Sequence, residues 1–323
     1  MTRTLGVLMD PIEAIHIKKD STFAMLLEAQ RRGYALLYLT PGSLVLRHAK
    51  PWAHAAALSV RDDPAGWFTL DEPEWRELDQ VDVILSRKDP PFDAQYLYDT
   101  MVLELAQAGG AQVVNDPRGL RDANEKLFAL HFPQCCAPTL VARDPAEIKR
   151  FAHEHDKVVL KPLDGMGGRS IFLTSGHDPN LNVIIETLTL EGRAFAMAQK
   201  FIPEISAGDK RILLIDGEPV PYALARVPQG DEFRGNLARG GRGVGVPLSD
   251  RDRWIAAQVG PALVERGMRF VGLDVIGDWL TEINVTSPTC IRELDAQFKL
   301  NISGQLFDAI EKRPMGAGAG KGG

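Results

Sequence analysis

The sequence predicts an α/β protein, with an open, mostly parallel sheet in its first third and strand-rich modules behind it. Three observations carry this. Short apolar runs over 5–9 and 35–39 enclose an amphipathic stretch over 21–32, which is a βαβ opening. A glycine-rich segment over 165–168 stands between two apolar runs, 158–160 and 171–173, so it reads as a loop between strands and not as the start of a helix. Near the C-terminal end, residues 274–288 read DVIGDWLTEINVTSP, two apolar runs around a turn that carry Asp274, Glu282 and Asn284 where a core is expected.

In chain order, a strand over 5–9 leads to a helix over 21–32 closed by Gly33, and then to a strand over 35–39. A less regular segment holds Trp52, Trp67 and Trp75. The alternation resumes with a strand over 81–85, a helix over 93–108 and a strand over 112–114. No Gly-x-Gly-x-x-Gly follows the first strand, so a nicotinamide dinucleotide would find no phosphate turn. A helix carrying Asn124, Glu125 and Lys126 comes next, then a helix over 145–155 and the strand over 158–160 that meets the glycine-rich loop. Strands over 196–201, 210–215 and 220–225 follow, the last after a turn at Asp216 and Gly217. Residues 230–243 hold Arg234, Arg239 and Arg242 among glycines; this reads as a mobile lid that closes on anions. A helix over 250–266 leads to the last hairpin. The expected division is 1–122, 123–200 and 201–314, with the lid over 228–245 and a flexible Gly- and Ala-rich tail over 315–323.

Composition narrows the function. The chain has 323 residues, 45% of them hydrophobic, enough to bury a large core. A net charge of -6 argues against a general nucleic-acid coat but leaves room for a local anion site. Three cysteines, with Cys135 and Cys136 adjacent, form neither a metal spacing nor a disulfide framework, which suits a reducing compartment such as the cytoplasm. No apolar window reaches the length of roughly 18 residues that a membrane helix needs. His153 and His155 are two apart on an expected helix, so they do not share a face and make a poor metal pair.

The hairpin is the most informative segment. Side chains alternate across a strand, so Glu282 and Asn284 share one face while Ile283 and Val285 take the other. If Gly277, Asp278 and Trp279 form a three-residue loop, Asp274 lies opposite Glu282. Two carboxylates and an amide would then gather as hard oxygen donors of the kind magnesium takes at about 2.0 to 2.1 Å. The plainer alternative is a solvated edge strand. Lys161 reads equally as a snorkelling surface lysine, Lys126 as an ordinary helical charge, and Gly165, Gly167 and Gly168 as a simple turn. Arg211 and Arg226 read by default as exposed strand charges, and Lys18 and Lys19 as a solvated helix entrance. Cys135 and Cys136 read as packing, and Cys290 as structural.

Several segments together carry a resemblance: MDP (9–11), IKKD (17–20), RKDPPF (87–92), LRD (120–122), NEKLF (124–128), LKPLDGMGG (160–168), GDKR (208–211), DGEPVPY (216–222), RGN (234–236), GGRG (240–243) and LTEINVTSPTCIR (280–292). In this order they resemble the ATP-grasp superfamily and, within it, the bacterial glutathione synthetase family, over nearly the whole chain. The resemblance implies an N-terminal Rossmann-like sheet, a central module and a C-terminal antiparallel-sheet module, with ATP between the last two. It implies ligation of γ-glutamylcysteine and glycine through an acyl phosphate, with ATP converted to ADP and phosphate. Carried onto this chain, Lys126 and Lys161 contact nucleotide phosphates, with Gly165, Gly167 and Gly168 folded over them. Gln199, Lys200, Phe201 and Ile202 line the adenine, and Asp209 completes the nucleotide side. Asp274, Glu282 and Asn284 hold two magnesium ions, manganese being an alternative. Arg211 and Arg226 steady the transferring phosphoryl group, with Arg234 or Arg239 brought in by the lid. Lys18, Arg87, Asn236, Ser287, Pro288 and Thr289 are the residues expected at the peptide substrate, and a homotetramer is implied. Another ATP-grasp ligase, acting on D-alanine or on a protein tail, and a non-catalytic nucleotide-binding protein of the synapsin kind are the rival readings.

Overall fold

A computed structural model describes residues 2–230, 235 and 241–312. The chain begins with β1 (Thr4–Leu8), α1 (Ser21–Arg31) and β2 (Ala35–Leu39), the expected βαβ unit. Asp20 starts α1 by accepting the Phe23 N–H at 2.6 Å, and Gly33, at φ +84°, lets the chain turn back where a side chain would be strained. There follow β3 (Leu44–Arg47), β4 (Lys50–Val60), β5 (Phe68–Leu70), β6 (Glu74–Glu77), β7 (Val83–Ser86), α2 (Ala94–Gly109), β8 (Gln112–Val114) and α3 (Pro117–Asp122). All eight strands join one sheet. Its parallel part runs β2-β1-β7-β8, with Leu5 beside both Leu36 and Val83.

The expectation of a mostly parallel sheet is corrected here. The segment around Trp52, Trp67 and Trp75 is an antiparallel extension, in which β4 pairs β2 while β3, β5 and β6 all pair β4. β4 is built largely on Ala, with Pro51 near its start and Trp52 and Val60 towards its ends, so its middle lacks the branched and aromatic residues that mark a strand. Its buried positions still recur along the strand, filled by small side chains such as Ala53 and Ala55.

The second sheet comprises β9 (Thr139–Ala142), β10 (Val158–Pro162), β11 (Phe172–Thr174) and β12 (Ala196–Lys200), antiparallel in the order β11-β10-β12-β9. Helices α4 (Pro145–Glu154) and α5 (Leu181–Thr189) pack on it, burying Ile148, Ala152 and Ile185 against Val158, Leu160 and Ala198. Alternation sends Lys161 and Gln199 to the opposite face.

The third sheet runs β15-β14-β13-β16-β17, from β13 (Asp209–Ile215), β14 (Glu218–Val227), β15 (Arg242–Pro247), β16 (Phe270–Ile276) and β17 (Trp279–Asn284). One face buries Ile212, Leu214, Leu273 and Val275 against α6 (Asp250–Glu265). The other face changes character along its strands. Leu213, Ile215, Leu224 and Phe270 join a core shared with Leu5 and Val7 of the first sheet, whereas Asp209, Arg211, Arg226 and Asp274, at alternate positions of the same strands, carry charge. The C-terminal helices α7 (Ile291–Phe298) and α8 (Ile302–Lys312), outside the sequence expectations, complete that shared core with Ile291, Leu294, Leu306 and Phe307.

Two further expectations change. Asn124, Glu125 and Lys126 form a turn, not a helix, because the Asn124 side-chain oxygen accepts the N–H groups of Lys126 at 3.1 Å and Leu127 at 2.9 Å, diverting them from a helical ladder. The expected lid is shorter than 228–245, since β15 begins at Arg242 and pairs with Val227. Arg234, Asn236 and Arg239 lie outside the described residues, as does the tail over 315–323. Among the described residues no helix is long and apolar enough to cross a membrane.

Candidate active site

The 270–284 hairpin reaches the expected pairing by a different route. Ile276 pairs Trp279, so the loop has two residues, Gly277 and Asp278, not three. Thr281 is then an extra residue in β17, a bulge that restores Asp274 opposite Glu282. It also explains why Leu280 and Ile283 both lie in the core while Glu282 faces the charged side. The Thr281 hydroxyl donates to the Asp274 carbonyl at 3.1 Å, pinning the bulge.

Asp274 is 3% exposed and is gripped from two strands. Arg211 Nε donates to its Oδ1 at 2.5 Å and Arg211 Nη2 to its Oδ2 at 3.0 Å, while Arg226 Nη2 lies 2.9 Å from Oδ2. Burial would raise this carboxyl, but the two guanidinium groups hold it below the usual carboxylate range. Close packing enforces the grip. A Cβ on Gly272 would meet the Arg211 Cδ at 2.7 Å. Arg226 Nη2 also donates to Asp209 Oδ2 at 2.5 Å, while Asp209 Oδ1 is buried without a hydrogen-bond partner among the described residues. Burial pushes the Asp209 carboxyl up to about 6 against the pull of Arg226.

On the neighbouring strand, Glu282 Oε1 lies 2.8 Å from Lys126 Nζ. That ammonium also donates to the Gly165 carbonyl at 2.7 Å, so Lys126 ties the acidic hairpin to the glycine-rich loop. Burial pulls Lys126 down, yet Glu282 keeps it above the ordinary lysine value. Gly167 and Gly168 adopt φ of +61° and +75°, conformations that favour glycine, and a Cβ on Gly165 would meet Pro162 at 2.8 Å. Lys161 differs from every other cation here. It is 7% exposed and forms no ion pair or hydrogen bond with another described residue, and burial lowers its pKa.

These groups surround one cavity of about 300 Å³ between the second and third sheets. Its wall includes Lys126, Lys161, Gly165, Gly167, Gly168, Gln199, Lys200, Phe201, Ile202, Asp209, Arg211, Arg226, Asp274, Glu282 and Asn284, with Ser287 and Thr289 at one side. Gln199 is fixed by donating to the Thr139 hydroxyl at 3.0 Å. Gly235 also lines it, where a Cβ would meet the Arg226 carbonyl oxygen at 2.3 Å. Of the other expected substrate residues, Lys18, Arg87 and Pro288 are placed apart. Lys18 is exposed on the surface and absent from the wall. Arg87 is buried behind it, donating to the Thr22 hydroxyl at 3.0 Å and to the Pro288 carbonyl at 2.9 Å. Pro288 thus contributes its carbonyl to Arg87 and is not on the cavity wall.

Glu125, also on the wall, had no sequence expectation beyond a helical position. Glu125 accepts the Val285 N–H at 3.0 Å, the Thr286 N–H at 3.1 Å and the Thr286 hydroxyl at 2.8 Å, all on Oε1. Its backbone carbonyl accepts the Ile283 N–H at 2.8 Å.

Whether a divalent ion fits depends on the donors. Among the described residues no three His, Cys, Asp or Glu converge on a metal position, so the expected donor set is the two carboxylates of Asp274 and Glu282 with the amide of Asn284. That falls short of an all-protein cage but suits magnesium, which keeps open positions for phosphate oxygens and waters. Each carboxylate already has a cationic partner, Arg211 and Arg226 for Asp274 and Lys126 for Glu282.

Comparison with known proteins gives a consistent result. Residues 4–121 match the family model for the N-terminal domain of prokaryotic glutathione synthetase, and residues 125–299 match that for its ATP-grasp domain. The chain is 67% identical over 311 residues to the glutathione synthetase of Xanthomonas campestris pv. campestris, covering 96% of this chain and 98% of that protein. It is 58% identical to that of Pseudomonas putida, covering 97% and 99%. Among solved structures, the D-cycloserine synthetase DcsG aligns with a TM-score of 0.67 at 14% identity, covering 96% of this chain and 99% of that one. The ATP-grasp ligase PsnB complexed with minimal precursor aligns at 0.62 and 19% identity, covering 97% and 99%. These distant structures establish the ATP-grasp fold alone.

Proposed function

The chain belongs to the prokaryotic glutathione synthetase family, and from that premise we infer how the residues of its cavity divide the work of ATP-dependent glutathione synthesis. The observation that carries this reading is the meeting of Asp274 and Glu282 with Lys126, Lys161, Arg211 and Arg226 on one cavity wall. A ligase of this kind uses ATP, a divalent ion and small-molecule substrates. In our reading Lys161 and Lys126 hold nucleotide phosphates beneath the loop of Gly165, Gly167 and Gly168, while Gln199, Lys200, Phe201, Ile202 and Asp209 take the adenosine end. Asp274, Glu282 and Asn284 are the ion's ligands. We put the number of ions at two, with manganese as a substitute for magnesium.

A carboxylate is inert toward an amine at neutral pH, so the cysteinyl carboxylate of γ-glutamylcysteine must first be phosphorylated, which brings two anions together. The divalent ion, when bound, neutralises phosphate charge. Arg211 and Arg226 supply the rest from the protein, as guanidinium groups that stay protonated and whose planar forks suit two oxygens. They are pre-aligned by Asp274 and Asp209, so little reorganisation is needed as charge develops. The backbone and hydroxyls of Ser287 and Thr289 sit beside this centre and suit the peptide substrate. The amine of glycine then displaces phosphate from the acyl phosphate. Arg234, Arg239 and Asn236 are assigned to the covering segment on the resemblance alone, as is Lys18 to the substrate; Arg87 acts through Pro288. The division 1–122, 123–200 and 201–314, a homotetramer and a cytoplasmic location belong to the same proposal.

The test is phosphate release from ATP with γ-glutamylcysteine, comparing glycine with other amino acids. Release that requires glycine supports the reading. Equal release with D-alanine, or none with glycine, rejects it.

A further inference from the structure

Glu125 lies between the two lysine-bearing and acidic elements of the cavity, yet nothing in the proposed chemistry uses it. Its geometry is unusual for a carboxylate beside a phosphate site. Oε1 alone takes three donors, the N–H groups of Val285 and Thr286 and the Thr286 hydroxyl, at 2.8 to 3.1 Å. The backbone oxygen of the same residue takes the Ile283 N–H at 2.8 Å. β17 is the edge strand of its sheet, so beyond Gly272 opposite Asn284 it has no further strand partner on the β16 side. Glu125 therefore supplies the pairing that the sheet does not, from Ile283 to Thr286, on either side of Asn284.

We propose that Glu125 is a positioning residue that sets the divalent-ion site, by fixing the chain on both sides of Asn284 and so aiming Glu282 and Asn284 at the cavity. The next residue, Lys126, bonds Glu282 and the Gly165 carbonyl, so one three-residue turn registers the acidic strand and the glycine-rich loop together. Glu125 itself does not touch the reacting groups. Because the three bonds share one oxygen, an amide oxygen in the same place can accept them, whereas a methyl group leaves all three donors without their acceptor. The proposal rests on the reading that Glu282 and Asn284 hold the ion.

The experiment is titration of the full chain with manganese(II) in the presence of ADP, following the free ion by electron paramagnetic resonance, on the parent and on Glu125→Ala, Glu125→Gln and Glu282→Gln. Loss of an outer partner of a metal ligand weakens the ion by about tenfold or more. Glu125→Ala should show that loss, and Glu125→Gln should remain within about threefold of the parent. A folded Glu125→Ala that binds manganese like the parent overturns the proposal. Glu282→Gln separates the two readings: parent-like manganese binding there sinks the ion assignment itself, whatever Glu125 does. If Glu125→Ala does not fold, Thr286→Val removes a single donor and should weaken the ion by roughly threefold; no change counts against the proposal.

Discussion

Lys161 is a buried ammonium with no ion pair or hydrogen bond among the described residues, and such a group costs stability unless a ligand supplies the counter-charge. Replacing it with methionine, similar in length and apolar, should leave the free protein as stable as before or about 1 kcal/mol more stable. The same change should weaken ATP binding by about tenfold to a hundredfold, the worth of a charge-assisted contact. Urea unfolding and calorimetric titration with ATP check the two halves. A loss of stability with unchanged ATP affinity would make Lys161 structural. Glu282→Gln should behave differently. It keeps the shape and an oxygen beside Lys126, so the midpoint of unfolding should hardly move, while turnover should fall by about a hundredfold or more. Near-parental turnover at saturating magnesium would reject the role. Asp274, Glu282 and Asn284 were readable in the sequence because polar oxygen donors interrupt runs that should be core. Arg211 and Arg226 were not, since an arginine on a strand reads as an exposed charge; the resemblance alone marked them. Glu125 had no legible role of its own, because its partners are two backbone N–H groups and one hydroxyl some 160 positions away, and backbone donors have no signature in composition.

Elements meet at this site through side chains that bridge sheets. Asn115, directly after β8, donates to the carbonyls of Phe270 and Val285 at 2.8 Å each and accepts the Phe270 N–H at 2.9 Å. One amide thus joins the edge of the first sheet to the start of β16 and the end of β17. Asn115→Ala would leave a buried N–H and two carbonyls short of a partner, which should cost about 3 kcal/mol in urea or guanidinium unfolding. A cost under about 1 kcal/mol would mean that water or a neighbour satisfies them. The elements themselves were unevenly legible. Strands β1, β2, β10 and β13 announce themselves by branched apolar runs or glycine boundaries, and α1 by its cap and period. β4 did not, because half of its buried positions are alanines and a proline stands second in it. The hairpin was legible in outcome but not in construction: the expected three-residue loop and the observed two-residue loop with a bulge at Thr281 both place Asp274 opposite Glu282, so the pairing alone cannot distinguish them.

At the scale of the whole molecule, the C-terminal helix returns to the first. α8 buries Ile302, Leu306, Phe307 and Ile310 in the core that also holds Phe23, Leu26 and Ala29 of α1, so the chain's end is part of the N-terminal sheet's support. Charge fastens the same contact. Arg32, just past α1, bonds Asp308 at 2.7 Å and Glu311 at 2.8 Å on α8, and Glu28 at 2.7 Å on α1. Hydrogen bonds from Arg31, and then from Arg32, outweigh burial and hold the Glu28 carboxyl down at about 2. Because the folded value lies below the ordinary carboxylate value, the native state binds fewer protons than the unfolded chain between them. The stability that Glu28 contributes is therefore fully present above about pH 4.5 and is lost as the pH falls toward 2. Arg31 is largely exposed, so its share is screened and most of the effect comes through Arg32. Glu28→Gln should be less stable than the parent by about 2 kcal/mol at pH 7, the worth of charged hydrogen bonds of this kind. The gap should narrow below pH 4.5 and close near pH 2, as protonation converts the parent into the equivalent of its variant. Thermal unfolding of both proteins across pH 2 to 8 measures this, and a gap that stays constant over that range would show that Glu28 acts by packing and not by charge.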